Sequence, residues 1–578
     1  MLSIGKILYL SLANVQVSLF TLEILLSYIR KRRFLCLDKL MGTKNTFPKL
    51  YLYIPLLIAV FLYLVGIMRT DLWTPDEPRY AEVAREMIER GNYIQPYCNG
   101  EHYNEKPPLF FWTVAAGAKL FGDVNQLSVR LPSVLSALGI IALLMIFVSE
   151  FFGRKEAFLS AVILCISPEF FWLARSGHID MLFTFLITVS LVSFYRWYVR
   201  ERRCCLVIFY FNLALATLAK GPLGIALPLM VALCFLMARK EWSKINKMRL
   251  YIGLPFALAV VLAWYIPAMH QSSGFDFGHV VKRQIIGRVF HPTSHDVSIY
   301  HWPFYYLVSL AKGMAPWSIL VPSAVVLAYR SRRDAPLFFL FCWTGVIFVF
   351  FTIIASKRGL YILPMYPAAA SLIALWVFRS TAPFNLKLVR VMSASMGMFL
   401  MVFDVIVPVY LKRRFPDMIY HYTWNVEAPI FIAGIIAITA AIFGKKLRLV
   451  VGVLIGTSLI ILAVIITSIL PRMNEFKSPR NICNVYKKAR DSNSEIAMFG
   501  GARTEYVFYT KSLIKVVQNR DDLKRFFDSP KRMFCFIKAK DYDRILNKSE
   551  FPIYVISKEQ VNSRIMLLLV NQKVSPPF

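Results

Sequence analysis

Acidic residues are scarce in this chain. Only 34 Asp and Glu stand against 67 Lys and Arg, and all charged residues together make up 17% of its 578 positions. With 57% hydrophobic residues, that shortage of charge excludes an ordinary soluble globular protein. Cysteine is also thinly used: nine are scattered, with no pair of CxxC motifs to suggest a structural metal site. Adjacent Cys204 and Cys205 flank a basic loop and fit a reducing cytoplasm. No internal repeat is visible, which argues against a transporter built from two related halves. No small-residue cleavage site follows the first apolar run, 7–29, which argues against a cleaved signal peptide.

Long hydrophobic runs are abundant. Segments of roughly 20 apolar residues recur, each enough to cross about 30 Å of hydrocarbon. Spans are expected at 51–69, 131–150, 155–174, 180–198, 204–219, 222–238, 249–270, 308–329, 335–355, 359–378, 390–411, 427–443 and 447–470. The net charge of +33 then has a topological explanation and needs no nucleic acid. Basic clusters at 29–33, 153–155, 200–203, 239–249, 329–333 and 444–448 all fall on one side of these spans, the cytoplasmic side by the positive-inside rule. An odd number of spans leaves the C-terminal part outside. Residues 1–47 are an extension with Asn14, Gln16 and Glu23 in its apolar stretch. It reads as an extra span, an interfacial helix or an upstream start ahead of Met41. Residues 48–470 form the membrane part, with outer loops at 70–130 and 271–307. Residues 471–578 alternate short apolar runs with amphipathic stretches, as a small outer α/β domain would. Cys483 and Cys535 within it form either a disulfide or two buried free thiols.

The outer loops hold the polar residues that invite a functional reading. Thr74-Pro75-Asp76-Glu77 reads as a helix start, with Thr74 at the N-cap and Glu77 in the reciprocal position of a capping box. Tyr80, Val83, Ala84, Met87 and Ile88 make one apolar stripe, and Glu82, Arg85, Glu86, Glu89 and Arg90 the opposite face. The expectation is an amphipathic helix lying flat on the outer membrane surface. Asp76, at a positive helix end, stays ionised and is unsuited to act as a general acid. On the same side lie Glu105 and Lys106, then Arg175, His178 and Asp180, then Lys220. Lys282, Arg283, Arg288 and His291 follow, and finally Lys357, Arg358, Tyr361 and Tyr366. Singly, each has an ordinary explanation as a snorkelling or anchoring residue. Together they make carboxylates ringed by cations on one face, a site suited to an anionic lipid headgroup, phosphate above all.

The DEPRYAE stretch at 76–82, followed by EKPPLFFW at 105–112, resembles the GT-C-type polyprenyl-phosphate glycosyltransferases. Within that group the chain looks most like the bacterial aminoarabinose transferases, with protein O-mannosyltransferases as the related branch. The resemblance covers roughly 50–470. Pro78 is a small departure, since many relatives carry Gly or Ala there. The resemblance implies an all-α polytopic membrane protein of about thirteen helices with a small C-terminal α/β domain. It implies catalytic roles for Asp76, Asp180 and Glu105, and substrate contacts from Arg79, Tyr80, Lys106, Lys220, Arg288 and Tyr361. It also suggests a divalent metal, with zinc as a candidate, near Glu105 and with His178 as a second ligand. The residues add no support of their own for it.

The implied reaction moves 4-amino-4-deoxy-L-arabinose from undecaprenyl phosphate to a lipid A phosphate at the periplasmic face of a bacterial inner membrane. Two alternatives stay open. One is a mannose-type transferase acting on protein or another glycan. The other is a lipid-linked transporter or flippase, although such proteins usually place their charges near the bilayer midplane.

Overall fold

The computed structural model describes residues 51, 53–271, 304–380, 383–414, 424–545 and 553–572. The 1–47 extension, nearly all of the 271–307 loop and Arg288 lie outside the described residues. Among the described residues, nine helices are long and apolar enough to cross a membrane. They are Gln126–Phe151, Ile179–Arg200, Arg203–Lys220, Leu250–Gln271, Ala335–Ile353, Gly359–Arg379, Asn385–Val409, Val426–Phe443 and Leu447–Ile469. A tenth span is formed if Arg154–Cys165 and Pro168–Arg175, bent by 67°, count as one. The remaining three expected spans appear as shorter apolar helices, Tyr53–Leu64, Leu223–Ala238 and Trp317–Arg330. The chain is thus a multi-span helical membrane protein.

The helices that position the polar residues are α1 (Tyr53–Leu64), α2 (Glu77–Arg90), α3 (Leu109–Phe121), α4 (Gln126–Phe151), α5 (Arg154–Cys165), α6 (Pro168–Arg175), α7 (Ile179–Arg200) and α8 (Arg203–Lys220). The break between α5 and α6 has a local cause. Pro168 has no N–H to continue the ladder and disfavours helical backbone in the residue before it. Ser167 Oγ donates back to Ile163 O at 2.7 Å, and Tyr63 of α1 donates its hydroxyl to Cys165 O at 3.0 Å, so the freed carbonyls keep partners. One large apolar cluster runs through the bundle, including Tyr63, Phe147, Phe194, Phe235, Phe339 and Trp343.

The C-terminal part is a five-stranded mixed sheet in the order β4-β3-β5-β7-β6. A separate hairpin supplies β1 (Tyr97–Cys98) and β2 (Glu101–His102). The sheet strands are β3 (Glu495–Phe499), β4 (Lys515–Val517), β5 (Met533–Lys538), β6 (Tyr554–Val561) and β7 (Arg564–Val570). β3 pairs parallel with β4 and β5, and β7 pairs antiparallel with β5 and β6. Alternation along the strands serves two cores. Ile496, Met498, Phe534, Phe536 and Leu568 face one, while Ala497, Phe499, Cys535, Ile537 and Leu569 face the other. The first core is continuous with Tyr80, Val83, Ala84 and Met87 of α2 and with Phe110, Phe111 and Val114 of α3.

That shared core corrects one expectation and decides between two alternatives. α2 does not lie open on a membrane surface. Its apolar stripe packs into the sheet's core, and on the supposed outer face Glu82, Arg85 and Glu86 are buried as well. They survive burial through partners: Arg85 binds Glu82 and Glu89, and Glu86 accepts the N–H of Gly100 at 3.1 Å. Second, of the two alternatives for Cys483 and Cys535, the free thiols stand. Cys483 belongs to the core on one side of the sheet and Cys535 to the core on the other, so the sheet itself separates them.

Candidate active site

The site begins with a buried arginine. Arg130, near the start of α4, donates to both carboxylate oxygens of Glu77 at 2.6 and 2.8 Å. Its remaining N–H groups reach Ile67 O, Thr70 O, Thr70 Oγ1 and Asp71 O at 2.6–2.8 Å. One guanidinium therefore ties the segment after α1 to the first turn of α2. Glu77 also accepts the N–H of Gly177 at 2.8 Å and of Trp73 at 3.2 Å. Burial alone would raise its pKa, but the Arg130 charge and these N–H groups bring it below its ordinary value. Glu77 is thus the hub of a buried ion pair. The expected capping box with Thr74 is absent: Asp76 occupies the N-cap position and makes no side-chain cap bond. Arg175 has a similar structural duty. It donates to Leu62 O and, at 2.8 Å, to Val65 O, satisfying carbonyls at the end of α1.

With that frame fixed, Asp76 is 1% exposed at the N-terminus of α2. Arg79, one turn along, is ion-paired to its Oδ1, and Arg358 donates to Oδ2 at 3.0 Å. The Tyr80 hydroxyl lies 3.4 Å from Oδ1. Burial pushes the Asp76 carboxyl up, yet the charges of His178, Arg358 and Arg79 hold it down at about 2. Arg79 also reaches Glu105, at 3.3 Å, on the exposed edge of the site.

A second carboxylate stands beside the first. Asp180, in the first turn of α7, is ion-paired to Lys220 at the last residue of α8, and both side chains are buried. The Lys220 ammonium sits 4.5 Å from the Tyr361 ring centroid and 5.1 Å from that of Phe183. His178 links the two groups. Its Nδ1 is 4.0 Å from Asp180 Oδ2, and its ring meets Tyr80 edge-on at 6.5 Å. The structure thus brings Asp76, Arg79, Tyr80, Glu105, His178, Asp180, Lys220 and Tyr361 to one end of the bundle. Lys106 is half-buried next to Glu105 in sequence.

The metal expectation does not find a ligand set. Among the described residues no three His, Cys, Asp or Glu side chains come together to hold an ion. Glu105 turns to Arg79 and Tyr103, and His178 to Asp180 and Tyr80.

Some residues of the site were not told apart, or not singled out, in the sequence. Arg358 and its neighbour Lys357, named together there, look equivalent in sequence, but they separate in space. Lys357 donates to Thr352 O and Ile354 O, both at 2.9 Å, closing the end of helix Ala335–Ile353, whereas Arg358 reaches Asp76. A cavity of about 240 Å³ opens beside Asp76, His178 and Arg358, walled by Trp73, Trp172 and Glu169. Trp73 and Trp172 stack at 6.1 Å, with the Lys477 ammonium 4.9 Å from the Trp73 ring. No local pattern marks these residues: they come from the loop before α2, from α6 and from the segment leading into the C-terminal sheet.

Fold and site together define a multi-span helical membrane protein with a cation-ringed carboxylate pair at the bundle end that carries the C-terminal sheet. Residues 105–266 match the family model described as dolichyl-phosphate-mannose-protein mannosyltransferase. Two similar relatives are undecaprenyl phosphate-alpha-4-amino-4-deoxy-L-arabinose arabinosyl transferases. The one from Shewanella sediminis is 31% identical, over 55% of this chain and 58% of its own length. The one from Pseudomonas aeruginosa is 32% identical, over 54% and 56%. An uncharacterized protein of Aquifex aeolicus is 29% identical over 63% of this chain and 74% of its own. The chain thus spans less than two thirds of the length of those two transferases. The crystal structure of ArnT from Cupriavidus metallidurans bound to undecaprenyl phosphate superposes with a TM-score of 0.76, covering 91% of this chain and 99% of that one at 19% identity. The chain thus has the fold of that structure, and over part of its length it is similar in sequence to polyprenyl-phosphate sugar transferases.

Proposed function

We propose that the protein transfers 4-amino-4-deoxy-L-arabinose from undecaprenyl phosphate to a lipid A phosphate at the periplasmic face of a bacterial inner membrane. The observation that carries this reading is the Asp76 carboxylate held ionised between Arg79 and Arg358, beside the Asp180–Lys220 pair. The orientation rests on where the charges fall along two spans. Asp180 opens α7, which ends at Arg200, and Lys220 ends α8, which starts at Arg203. The site is at the opposite end from the arginine-rich loop, hence outside by the positive-inside rule. Its charges stand at helix ends, where a lipid headgroup reaches them without leaving the bilayer.

In the proposed step an acceptor phosphate oxygen attacks the anomeric carbon. The bond from that carbon to the polyprenyl-phosphate oxygen breaks, and the leaving phosphate takes the electron pair. A single displacement inverts the sugar centre. Arg79, Lys106 and Lys220, with Arg288 as a further candidate, stabilise the growing charge on the leaving phosphate; preorganised cations are effective there because they need no reorientation. Asp76, with a pKa of about 2, is a poor general acid and a weak base. That suits an acceptor that is already an anion, so Asp76 and Asp180 hold the cations in place and orient the acceptor. Glu105, exposed and bound to Arg79, braces that guanidinium. No step passes through a metal. A second reading, transfer of a hexose to protein, draws on the mannosyltransferase family model over 105–266.

The test is expression in a Gram-negative host that makes the aminoarabinose donor but lacks its own transferase, with lipid A read by mass spectrometry. Pentosamine on a lipid A phosphate, absent with Asp76→Asn, is the expected result. Unmodified lipid A from a folded, membrane-inserted protein would sink the proposal in favour of a hexose donor or a protein acceptor.

A further inference from the structure

Five carboxylates lie around the site, and four are already matched by a cation. Asp76 is held by Arg79 and Arg358, Glu77 by Arg130, Asp180 by Lys220, and Glu105 by Arg79. The fifth, Glu169 on α6, lines the same cavity as Asp76, His178 and Arg358. Among the described residues it makes no salt bridge; it accepts the Tyr366 hydroxyl at 2.7 Å. A neutral phenol satisfies part of a carboxylate's acceptor capacity and none of its charge.

We propose that Glu169 is the residue that selects an amino sugar, by pairing its carboxylate with the sugar's ammonium group. The inference rests on the aminoarabinose reading above and assigns a recognition role that the reading itself leaves open. The remaining walls of the cavity agree with it. Arg358 and Lys477 bring positive charge to other sides of the cavity, so an ammonium is favoured where a carboxylate without a cation meets it. Trp172 is 38% exposed and offers an apolar face to the C–H side of a sugar ring, with Trp73 stacked behind it. Lys477 lies against this tryptophan pair, which turns the amine away from it. The cavity, at about 240 Å³, has room for a sugar ring.

The placement of Glu169 is also built. A Cβ on Gly313 would overlap both Glu169 Oε2 and Tyr366 Oη, so the glycine leaves the space in which the pair meets. Tyr366 is fully buried in its helix and fixes the carboxylate from behind.

The experiment compares two polyprenyl-phosphate donors, one carrying the 4-amino pentose and one carrying a hydroxyl in place of the ammonium. Lipid A is the acceptor and the purified full-length protein is held in nanodiscs. The wild type is expected to favour the amino donor by about tenfold or more in kcat/KM. Glu169→Gln keeps an acceptor for Tyr366 and nearly the same volume; it is expected to raise KM for the amino donor about tenfold and leave the hydroxyl donor nearly unchanged. Tyr366→Phe, which retains the carboxylate, is expected to keep the preference. Equal losses on both donors in Glu169→Gln would reduce Glu169 to a structural part and overturn the inference. So would a wild type indifferent to the amine, a result that needs no variant to fold. A wild type that transfers neither donor to lipid A would instead remove the function proposed above.

Discussion

The charge on Asp76 is the feature whose removal has the most direct consequence. Its side chain is 1% exposed and its pKa falls from an ordinary 3.8 to about 2. At about 1.36 kcal/mol per pH unit, that difference is worth about 2.5 kcal/mol of native-state stabilisation. Because the folded value is depressed, this contribution is complete above about pH 4. It is lost as the pH falls through about 2. At any pH where transfer is assayed, Asp76 is therefore ionised, and no acidic limb of the rate profile belongs to it. Asp76→Asn removes the charge and leaves Arg79 and Arg358 facing each other. The expected outcome is loss of transfer, together with destabilisation of about 2–3 kcal/mol, by the same linkage. The assays are thermal unfolding in nanodiscs and the pH dependence of kcat/KM from pH 4.5 to 9. An acid limb between pH 5 and 7 that shifts in Arg358→Gln would refute the reasoning, because it would place the Asp76 pKa in the working range.

Three further outcomes follow from the same geometry. Arg130→Met strands the buried Glu77 carboxylate and should cost about 3–5 kcal/mol, seen as a lowered unfolding temperature, with Glu77→Gln in the same chain restoring part of it. Gly313→Ala should disturb the Glu169–Tyr366 pair and cost about 1–3 kcal/mol by overpacking, read as reduced thermal stability with the amino-sugar preference weakened. Cys483 and Cys535 should react with a thiol reagent only after unfolding, with or without prior reduction; labelling that requires a reductant would mean that they are bonded.

Much of the architecture was legible because a bilayer imposes a coarse rule on sequence. A segment that crosses hydrocarbon must be long, apolar and helical, and runs such as 131–150 and 447–470 obey it over their whole length. Where the rule is weakest, the outcome differed. The run at 155–174 is apolar throughout, yet Pro168 breaks it into α5 and α6 and so turns Glu169 and Trp172 toward the cavity. In α2 the two-faced pattern was read correctly as a helix. Its partner was not, because an amphipathic pattern says that one face is covered and does not say by what. The cover is the core it shares with the C-terminal sheet, more than 390 residues later in the chain.

The same division runs through the site. The sequence by itself pointed to carboxylates and cations gathered at one end of the spans, since hydropathy and the distribution of Lys and Arg mark the two ends. It also singled out Asp76, Arg79, Asp180, Lys220 and Tyr361 through motifs in short local stretches. Only the tertiary structure decided which charge answers which. Glu77 and Asp76 are adjacent, but one is matched to Arg130 inside the frame and the other to Arg79 and Arg358 at the cavity. Lys357 and Arg358 are adjacent too, but one closes a helix and the other reaches across 282 positions to Asp76. Ion pairing depends on distances of about 3–4 Å between side chains from separate helices, and those distances exist only after the helices have packed.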